Sequence, residues 1–392
     1  MFTTLDDLDV KDKRVLVRVD FNVPLKDGRV GDDTRIRAAL PTLEALESRG
    51  ATLVLMSHLG RPKGVDEDAR MRPVAARLGE ILGEDVRYLA CGGPASQEEQ
   101  DFVARAPHGS ITLLENTRFD PRETKNDAGL ARVLAGYADV YVNDAFGSAH
   151  RAHASTEGVA KLLPSAAGRL LERELKALGR LRDRPEHPFA VILGGAKVSD
   201  KIGVIESLLG AADKILVGGA MAYTFIAAQG GSVGASRVEE DQFDTARRLL
   251  ERADEAGVKL VLPEDSVCAR EIREGTQTSV HPSNAIPDGL LGLDVGPRAI
   301  GAIREALDGA RTVFWNGPLG VFETPPFDAA TVAVAQAVAQ LSAFTVVGGG
   351  DSVAAVNQTG LADRIGHIST GGGAALEFLE GRTLPGVAAL ER

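Results

Sequence analysis

The sequence has little of what marks several large classes of protein. Acidic residues outnumber basic ones by 55 to 44, which gives a formal net charge of −11, whereas proteins that bind a nucleic-acid backbone or an anionic membrane usually carry a basic excess. No run of about 18 apolar residues occurs, and the amino terminus has neither the basic start nor the apolar stretch of a signal peptide. We therefore expect a cytoplasmic protein with no nucleic-acid and no membrane partner.

The sequence also lacks the short motifs that are typical of redox, zinc, nucleotide-binding and nucleophilic sites. The two cysteines, Cys91 and Cys268, are too far apart in the sequence for a C-x-x-C redox or zinc pair, and so few cysteines disfavour a disulfide-stapled fold. There is no G-x-x-x-x-G-K-[ST], no G-x-G-x-x-G and no HRD. P-loop NTPases, Rossmann dehydrogenases of the usual kind and protein kinases are therefore not supported. No local pattern indicates a Ser-His-Asp or Cys-His site, although distant residues can assemble one.

What the chain does contain is a repeated alternation of apolar runs and helical patterns. Runs rich in Val, Ile and Leu recur, most of them followed by a break and then by apolar residues at helical spacing, which is typical of βαβ units. The predicted strands lie at 14–24, 51–62, 110–120, 139–150, 189–197, 214–221, 258–265, 311–320, 343–351 and 364–374, and the clearest helices at 39–48, 203–211, 243–256 and 329–341. With 392 residues, the chain is predicted to form two α/β domains.

Residues 163–188 are predicted to connect the two domains. Leucines recur there at helical spacing, and the segment ends in a stretch rich in proline and charge. The alternative is an ordinary core helix within one large domain.

The predicted strands end differently in the two halves of the chain. Those of the first half are followed by polar and basic residues: Asp20, Asn22, His58, Arg61, Arg118, Asn143, Asp144 and Arg151. Those of the second half end in GGAK, GGA, GGGD and GGGA. Because ligands of open α/β sheets bind at the carboxyl ends of the strands, we expect a compact anionic ligand in the first half. Bare backbone N–H groups in the second half suit a phosphate chain.

Several arginines near the strand ends of the first half favour a ligand that bears both phosphate and carboxylate. The planar guanidinium binds either group with two parallel hydrogen bonds. The candidates are Arg35, Arg61, Arg118 and Arg151, with His58 beside them; each alone could be a surface ion pair. His150 and His153 do not predict a metal site, since no third ligand accompanies them.

Two lysines, Lys197 and Lys201, follow the first glycine turn of the second half. Their spacing predicts that both project to one side of the incoming helix. Cations at a helix amino terminus oppose the helix dipole unless an anion joins them, so the pair indicates phosphate binding. A solvated lysine pair with Asp200 as a surface partner is the alternative.

Two carboxylates of the second half have a functional and a structural interpretation each. Asp351 could hold Mg²⁺ together with ligand phosphates, or simply cap the helix that follows. Glu323 could accept ribose hydroxyls, or be a solvated loop residue.

Ten segments of the chain resemble the phosphoglycerate kinase family, in the family's order and over nearly all of the sequence. They are RVDFNVPL, DDTRIRAALPTL, LMSHLGRPKG, LLENTRF, VNDAFGSAHRAHAS, ILGGAKVSDKI, GLDVGP, FWNGPLGVFE, GGGDSVAAV and STGGGAALEFLEG. Two departures from the expected pattern are Ser352, in place of Thr, and Ala374, in place of Ser. The first keeps a hydroxyl, and the second leaves only a backbone role at that position.

The resemblance implies two doubly wound, Rossmann-like domains with parallel sheets, joined by a connecting helix and hinge, and a carboxy-terminal helix that returns to the first domain. The triose domain would comprise residues 1–168 completed by 376–392, the connecting helix and hinge 169–188, and the nucleotide domain 189–375. The implied activity is reversible Mg²⁺-dependent transfer of the acyl phosphate of 1,3-bisphosphoglycerate to ADP, which gives 3-phosphoglycerate and ATP. Domain closure, glycolysis and a monomeric state are implied with it.

The resemblance also implies a role for individual residues. Catalysis is assigned to Arg35, Lys197, Gly372 and Gly373. The substrate site would comprise Asp20, Phe21, Asn22, Arg35, His58, Leu59, Gly60, Arg61, Arg118 and Arg151. The nucleotide site would comprise Lys201, Gly292, Asn316, Glu323, Gly349, Gly350, Asp351 and Ser352, with Asp351 also positioning the metal.

Two other functions are compatible with such a scaffold. A catalytically silent nucleotide-binding protein would be free to lose Arg35, Lys197, Lys201 and Asp351, all of which are present. A nicotinamide-dependent dehydrogenase is disfavoured, because its glycine fingerprint is absent.

Overall fold

In the computed structural model, which describes residues 2–391, the chain divides into two compact units. The first unit comprises residues 2–176 and 383–391, and the second comprises residues 177–382. Residues 1 and 392, at the ends of two predicted domain ranges, lie outside the described residues. No helix within 2–391 is long and apolar enough to cross a lipid bilayer.

The first unit is built on a six-stranded parallel sheet. Its strands are β1 Arg14–Arg18, β4 Thr52–Met56, β5 Val86–Tyr88, β6 Ile111–Leu113, β7 Val140–Asn143 and β8 Ser165–Ala167, and a small hairpin pairs β2 Leu25–Lys26 with β3 Arg29–Val30. The spatial order is β5–β6–β4–β1–β7–β8. Every residue of β4 and β7 is buried, as expected for a sheet covered on both faces. The chain winds outward in both directions from β1, which makes the carboxyl end of β1 the topological switch point.

Six helices belong wholly or partly to the first unit. They are α1 Thr34–Glu47, α2 Arg72–Leu82, α3 Gln97–Ala104, α4 Ala128–Ala135, α5 Arg169–Asp183 and, near the carboxy terminus, α13 Pro385–Ala388. Local sequence explains several ends: Ser96 and Asp127 accept backbone N–H groups at the starts of α3 and α4, and Gly83 ends α2 in the left-handed region. The carboxy-terminal segment returns to this unit, where Asn143 Nδ2 donates to Gly386 O at 3.1 Å.

The second unit contains another six-stranded parallel sheet and a smaller antiparallel one. The parallel order is β12–β10–β9–β17–β18–β19, from β9 Phe189–Leu193, β10 Lys214–Val217, β12 Lys259–Val261, β17 Thr312–Asn316, β18 Phe344–Gly348 and β19 His367–Ile368. The antiparallel sheet has the order β14–β13–β16, from β13 Asp265–Ala269, β14 Ser279–Pro282 and β16 Leu291–Val295. A short pair joins β11 Ser232–Val233 to β15 Ala285–Ile286. Here the topological switch point lies between β9 and β17.

The helices of the second unit pack around these sheets. They are α6 Ile202–Leu208, α7 Met221–Ala228, α8 Phe243–Glu255, α9 Pro297–Leu307, α10 Ala329–Gln340, α11 Gly350–Gln358 and α12 Gly373–Leu379. Residues 376–382 stay with this unit, where Ser207 Oγ donates to Leu379 O at 2.6 Å. The division between the units falls inside α5, and the leucines predicted at its helical spacing, Leu170, Leu171, Leu175, Leu178 and Leu181, are buried.

The predicted two-domain α/β class with parallel sheets is confirmed, and each predicted apolar run contains a strand. Several strands were not predicted: the short β2, β3, β5, β8, β11 and β15, and the antiparallel β13, β14 and β16. Their sequences explain this, because β5 is three half-buried residues long and β14 is largely exposed. Neither offers the continuous apolar run by which parallel strands are recognised.

Candidate functional site

The polar residues that follow the strands of the first unit are joined to one another at the carboxyl edge of the sheet. The Phe21 N–H donates to Ser57 Oγ at 2.9 Å, and Asn22 Oδ1 accepts the Gly60 N–H at 2.8 Å. These bonds connect the loop after β1 to the loop after β4. The side chains of Phe21 and Leu59 are buried in the core, so neither presents a polar group to a ligand.

Asn116 attaches the loop after β6 to the same edge. Its Oδ1 accepts the N–H groups of Leu59 at 3.2 Å and Arg118 at 3.0 Å, while its Nδ2 donates to Leu59 O at 2.8 Å. Asn116 is fully buried. Its side chain therefore fixes the backbone from which Arg118 extends, which is a role that the sequence analysis did not predict.

Arg18, the last residue of β1, is a buried member of the site that the sequence analysis missed. Its side chain is 1% exposed, and its Nε donates to Ser155 Oγ at 2.9 Å. Ser155 in turn donates to the buried Glu123, with Oγ to Oε1 at 2.5 Å and N to Oε2 at 3.0 Å. A basic residue inside an otherwise apolar strand was the available signal, since arginine is almost never fully buried without a partner.

Positive charge accumulates at this edge. Burial lowers the pKa of Arg118, and the neighbouring charges of Arg151, Arg18 and Arg61 lower it further. Nε of Arg118 is buried without a hydrogen-bond partner. Within residues 2–391, Arg61, Arg118 and Arg151 make no ion pair with a carboxylate. The buried Glu123 opposes the lowering of the Arg118 pKa. Guanidinium groups that repel one another and form no ion pair make a site for a multiply charged anion.

The two histidines of the site are held neutral. Burial lowers the pKa of His58 to about 3, and the charges of Arg18, Arg118 and Arg151 contribute, against an opposing effect of Asp20. Burial likewise lowers the pKa of His153 to about 3, with Arg118 and Arg18 contributing. A neutral imidazole still offers one N–H to an anion, and it adds no charge to an already cationic cluster.

Asp20 and Arg35 form an ion pair beside this cluster. Arg35 lies in the first turn of α1, and its Nη1 is 3.0 Å from Asp20 Oδ2. Burial alone would raise the pKa of Asp20, but the charges of Arg35 and Arg18 outweigh it and lower the pKa below its usual value. Oδ1 of Asp20 is buried and has no hydrogen-bond partner, so the carboxylate retains an unused acceptor.

The switch point of the second unit opens into a cavity of about 290 Å³. Two strand-end loops meet there without intervening side chains: the Gly195 N–H donates to Pro318 O at 3.0 Å, and a Cβ on Gly194 would lie 2.1 Å from the same oxygen. Glycine is therefore required at 194 for the loops to approach. The cavity wall includes Gly195, Ala196, Gly219, Ala220, Tyr223, Arg237, Ile272, Gly292, Leu293, Leu319, Glu323 and Asp351. It combines an apolar part with glycine turns and a few charged groups, as nucleotide sites do.

The predicted placement of the two lysines is wrong in one respect. Helix α6 begins only at Ile202, so Lys201 precedes the helix and Lys197 lies in the loop, and the two do not share a helix face. Lys197 is exposed, whereas Lys201 is 8% exposed and its Nζ contacts Asn316 Oδ1 at the end of β17. Burial lowers the pKa of Lys201 to about 8, against the opposing charges of Asp200 and Asp351.

One interpretation of Asp351 was that it caps the helix that follows, and the structure shows that it does not. Gly349, in the left-handed region at φ 87°, occupies the capping position of α11, and Asp351 lies in the first helical turn. Its side chain is exposed and lines the cavity, as does Glu323. Ser352 is instead buried, and its Oγ accepts the Gly317 N–H at 2.6 Å, which joins α11 to the loop after β17. Asp351 therefore interacts favourably with the dipole of α11 because it lies in the first turn, and it does not act as the N-cap residue.

The two glycines at the start of α12 have free space on the side where a side chain would project. Gly372 precedes the helix with φ 52°, and a Cβ on either Gly372 or Gly373 would meet no atom within 4 Å. Ala374 is fully buried, so its side chain takes no part in binding. Gly350 is similarly open, whereas a Cβ on Gly292 would lie 2.2 Å from the Tyr223 ring.

Comparison with known proteins identifies the family of the chain. The family model described as phosphoglycerate kinase matches residues 5–382. The chain belongs to the phosphoglycerate kinase family. Among curated phosphoglycerate kinases, one from Thermus thermophilus is 59% identical over 389 residues, 99% of each chain, and that of Moorella thermoacetica is 58% identical over 99% of this chain and 98% of its own.

Solved phosphoglycerate kinase structures have the same fold. That from Coxiella burnetii matches with a TM-score of 0.89 at 39% identity, covering 100% of this chain and 99% of its own. That from Pyrococcus horikoshii OT3 matches with a TM-score of 0.84 at 33% identity, covering 100% and 98%. The predicted family, fold class and activity are confirmed: the protein is a kinase that uses ATP and transfers a phosphoryl group to or from the carboxyl group of 3-phosphoglycerate, a step of glycolysis.

Proposed function

We propose that the cationic edge of the first unit binds 3-phosphoglycerate or 1,3-bisphosphoglycerate and that the cavity of the second unit binds ADP or ATP. The observation that carries this division is the cluster of Arg61, Arg118 and Arg151, none of which forms an ion pair with a carboxylate among residues 2–391. A polyanion the size of a triose phosphate supplies what the cluster lacks. We assign the unit of residues 2–176 and 383–391 to the triose and the unit of residues 177–382 to the nucleotide, with the hinge within 169–188.

Within the first unit, the arginine cluster and His58 would bind the phosphate that is not transferred. Asp20 has an unused, buried acceptor oxygen, which suits the glycerate hydroxyl. Asn22 fixes Gly60 through its side chain, so its contribution, like that of Phe21, Leu59 and Gly60, would be to shape the backbone around the ligand. Arg35 would meet the carboxylate end and the transferring phosphoryl group.

Within the second unit, the cavity would hold the nucleoside at its apolar end and the phosphates toward the glycine turns. Gly292 lies at the apolar end beside Tyr223, and Glu323 would accept ribose hydroxyls. Lys201 would bind a nucleotide phosphate, and Asn316 Oδ1 would hold its Nζ in position by accepting a hydrogen bond. Gly349, Gly350 and Ser352 set the turn at the start of α11.

Asp351 suits a magnesium ion that arrives with the nucleotide. Its carboxylate is exposed in the cavity wall, and no group of three or more metal-binding side chains occurs within residues 2–391. One protein carboxylate together with phosphate oxygens is the coordination that Mg²⁺ favours. The ion would neutralise charge on the phosphates when bound.

The chemistry needs no general base from the protein. The attacking carboxylate of 3-phosphoglycerate is ionised at neutral pH, since carboxyl pKa values lie near 4. What the chain must supply is alignment and positive charge around the transferring phosphoryl group. Arg35 and Lys197 can provide positive charge. The backbone N–H groups of Gly372 and Gly373, which have free space around them, can help to align the phosphoryl group.

Three further properties belong to the proposal. Because the acyl phosphate hydrolyses in water and the two substrates are assigned to different units, the reaction requires closure about the hinge. We also propose that the protein acts in the cytoplasm, and as a monomer.

A coupled assay of ATP formation from ADP and 1,3-bisphosphoglycerate tests the assignment of sites. Purified protein should form ATP only with Mg²⁺, and Arg35→Ala or Lys197→Ala should each slow turnover while leaving circular dichroism unchanged. The thermal midpoint should stay the same in Lys197→Ala and fall in Arg35→Ala, because the buried Asp20 loses its ion-pair partner. Full activity of both variants would contradict the assigned catalytic roles. A catalytically silent protein would show nucleotide binding with no turnover in the wild type.

A further inference from the structure

Lys197 lies in the loop between β9 and α6, and its own backbone makes no hydrogen bond to the described residues. The loop is fixed at its start, where the N–H groups of Gly194 and Gly195 donate to Asn316 O and Pro318 O, each at 3.0 Å. Ala196 and Lys197 are both exposed and make no hydrogen bond to any of residues 2–391. A flexible side chain on an unsupported backbone loses precision, and a small displacement of a catalytic group is costly.

Val198, the residue after Lys197, is fully buried, and its carbonyl oxygen accepts the Lys201 N–H at 2.8 Å. Ser199 is a second fixed point, which is held by one carboxylate. The Ser199 N–H donates to Glu239 Oε2 at 3.1 Å, and Ser199 Oγ donates to Glu239 Oε1 at 2.6 Å. Both oxygens of Glu239 are therefore used on the same residue, one on its backbone and one on its side chain. Hydrogen bonds to an ionised acceptor are roughly twice as strong as those between neutral groups, so this contact restrains both the position and the orientation of the turn.

Glu239 is itself well anchored. Its backbone N–H donates at 3.1 Å to Oγ1 of Thr224, a fully buried residue of α7, and its carbonyl oxygen accepts the Gln242 N–H at 3.0 Å. A neighbouring residue, Ser236, accepts the Gly292 N–H at 2.8 Å and so attaches the same segment to the nucleotide cavity. The carboxylate thus extends from a fixed segment onto the lysine loop, where it adds a polar restraint to the packing of the buried Val198.

We propose that Glu239 is a positioning residue that holds Lys197 in place for phosphoryl transfer by fixing Ser199. This rests on the proposed role of Lys197. Glu239 does not touch the substrates; it acts through the loop, and Lys197 lies two residues from the point at which the loop is held. The alternative, an ordinary contact between two loops, predicts an effect on stability without a specific effect on turnover.

The test compares Glu239→Ala and Ser199→Ala, singly and together, with Glu240→Ala as the matched control. Glu240 is the next carboxylate along the chain, is exposed and makes no contact with Ser199. Because each single variant breaks the same contact, we expect kcat to fall about three- to tenfold in each. The double variant should be no slower than the slower single one, with the KM for ATP within about twofold of wild type. Ser199→Thr, which keeps both donors, should retain activity, as should Glu240→Ala.

Hydrogen exchange gives a second readout that does not depend on chemistry. In wild type the Ser199 amide is hydrogen-bonded, so amide exchange in a peptide covering 194–201 should accelerate in Glu239→Ala and not in Glu240→Ala. A kcat within twofold of wild type in both single variants, strictly additive effects, or unchanged exchange would each overturn the inference. If Glu239→Ala does not fold, Ser199→Ala decides alone. A Lys197→Ala variant with full activity would instead refute the proposed role of Lys197, and the exchange data would still report on the contact.

Discussion

The guanidinium of Arg18 lies 3.2 Å from Nδ1 of His58, and both side chains are buried. Arginine has only donors, so Nδ1 of His58 must accept, and the ring proton resides on Nε2. The same Arg18 donates through Nε to Ser155. One buried arginine thus fixes the tautomer of the histidine, and His58 presents an N–H donor to whatever binds in the arginine cluster.

This arrangement predicts that His58 stays neutral in the free protein throughout the physiological range. With a folded-state pKa of about 3 against about 6.5 in the unfolded chain, the unfolded state binds more protons between these values. His58 therefore makes stability fall as the pH is lowered from about 6.5 toward 3. Nitrogen-15 NMR of the ligand-free protein should show the Nε2–H tautomer and no titration of His58 between pH 5 and 8. A midpoint near pH 6.5 would contradict the geometry.

Replacement of Arg118 should separate binding from stability. Arg118→Gln removes one donor from the proposed phosphate site, which should raise the KM for 3-phosphoglycerate about ten- to hundredfold with little change in the KM for ATP. Because Arg118 is repelled by Arg151, Arg18 and Arg61, the thermal midpoint should be unchanged or slightly higher. Arg122→Gln, an exposed arginine paired with Asp120, is the control and should have normal KM values.

Lys201 predicts proton uptake when nucleotide binds. Its pKa is about 8 in the free protein because it is buried, so at pH 8 about half of the molecules lack the proton. A bound phosphate favours the charged form, and binding of ADP should then take up about half a proton. Calorimetry at pH 8 in buffers of different ionisation enthalpy measures this number. The number of protons taken up should approach zero at pH 6.5, and also at pH 8 in Lys201→Met. Uptake in Lys201→Met equal to that of wild type would exclude Lys201 as the source.

The proposed metal role of Asp351 predicts a specific change in magnesium dependence. Asp351→Asn should raise the Mg²⁺ concentration needed for half-maximal activity about tenfold, because an amide is a weaker ligand for a hard cation than a carboxylate. Excess Mg²⁺ should restore part of the activity. Glu323→Gln, in the same cavity wall, should change the KM for ATP without shifting the Mg²⁺ dependence. Equal Mg²⁺ curves for wild type and Asp351→Asn would reject the assignment.

Two glycines, one directly before α5 and one inside it, should respond in opposite directions to replacement by alanine. A Cβ on Gly168 would lie 2.2 Å from Asp144 Oδ1, which is itself held by the Leu170 N–H at 2.9 Å. Gly168→Ala should therefore destabilise the protein by about 2 kcal/mol. Gly179, inside α5, has no atom nearer than 4.0 Å to an added Cβ, so Gly179→Ala should stabilise by about 0.5–1 kcal/mol. Urea unfolding of both variants checks the signs.

Much of the architecture could be predicted from local sequence. Parallel strands buried on both faces need continuous apolar runs, and each predicted run contains a strand. The antiparallel sheet of β13, β14 and β16 could not be predicted in this way. Its exposed residues, such as Val280, follow from where that sheet lies in the second unit and not from their own sequence.

The candidate sites divide similarly. Strand-end residues such as Asp20, Arg118 and Asp351 could be found, because the carboxyl ends of parallel strands meet at one edge. Arg18 and Asn116 were missed, because their importance comes from contacts with Ser155, His58 and Leu59, which are distant in sequence. For Arg18 a local signal was its place between Val17 and Val19. The interpretation of Asp351 as a helix cap failed for a local reason, since a glycine in the left-handed region took that position.

By itself, the sequence determined the α/β class, the family and the cationic or glycine-rich character of each group of strand ends, because periodicity and residue type are properties of the chain. Only the tertiary structure decided which charges are buried, which polar atoms lack partners and which pKa values are displaced. Those properties depend on desolvation and on contacts across tens to hundreds of positions. The neutral His58, the buried Lys201 and the hold of Glu239 on Ser199 all arise in that way.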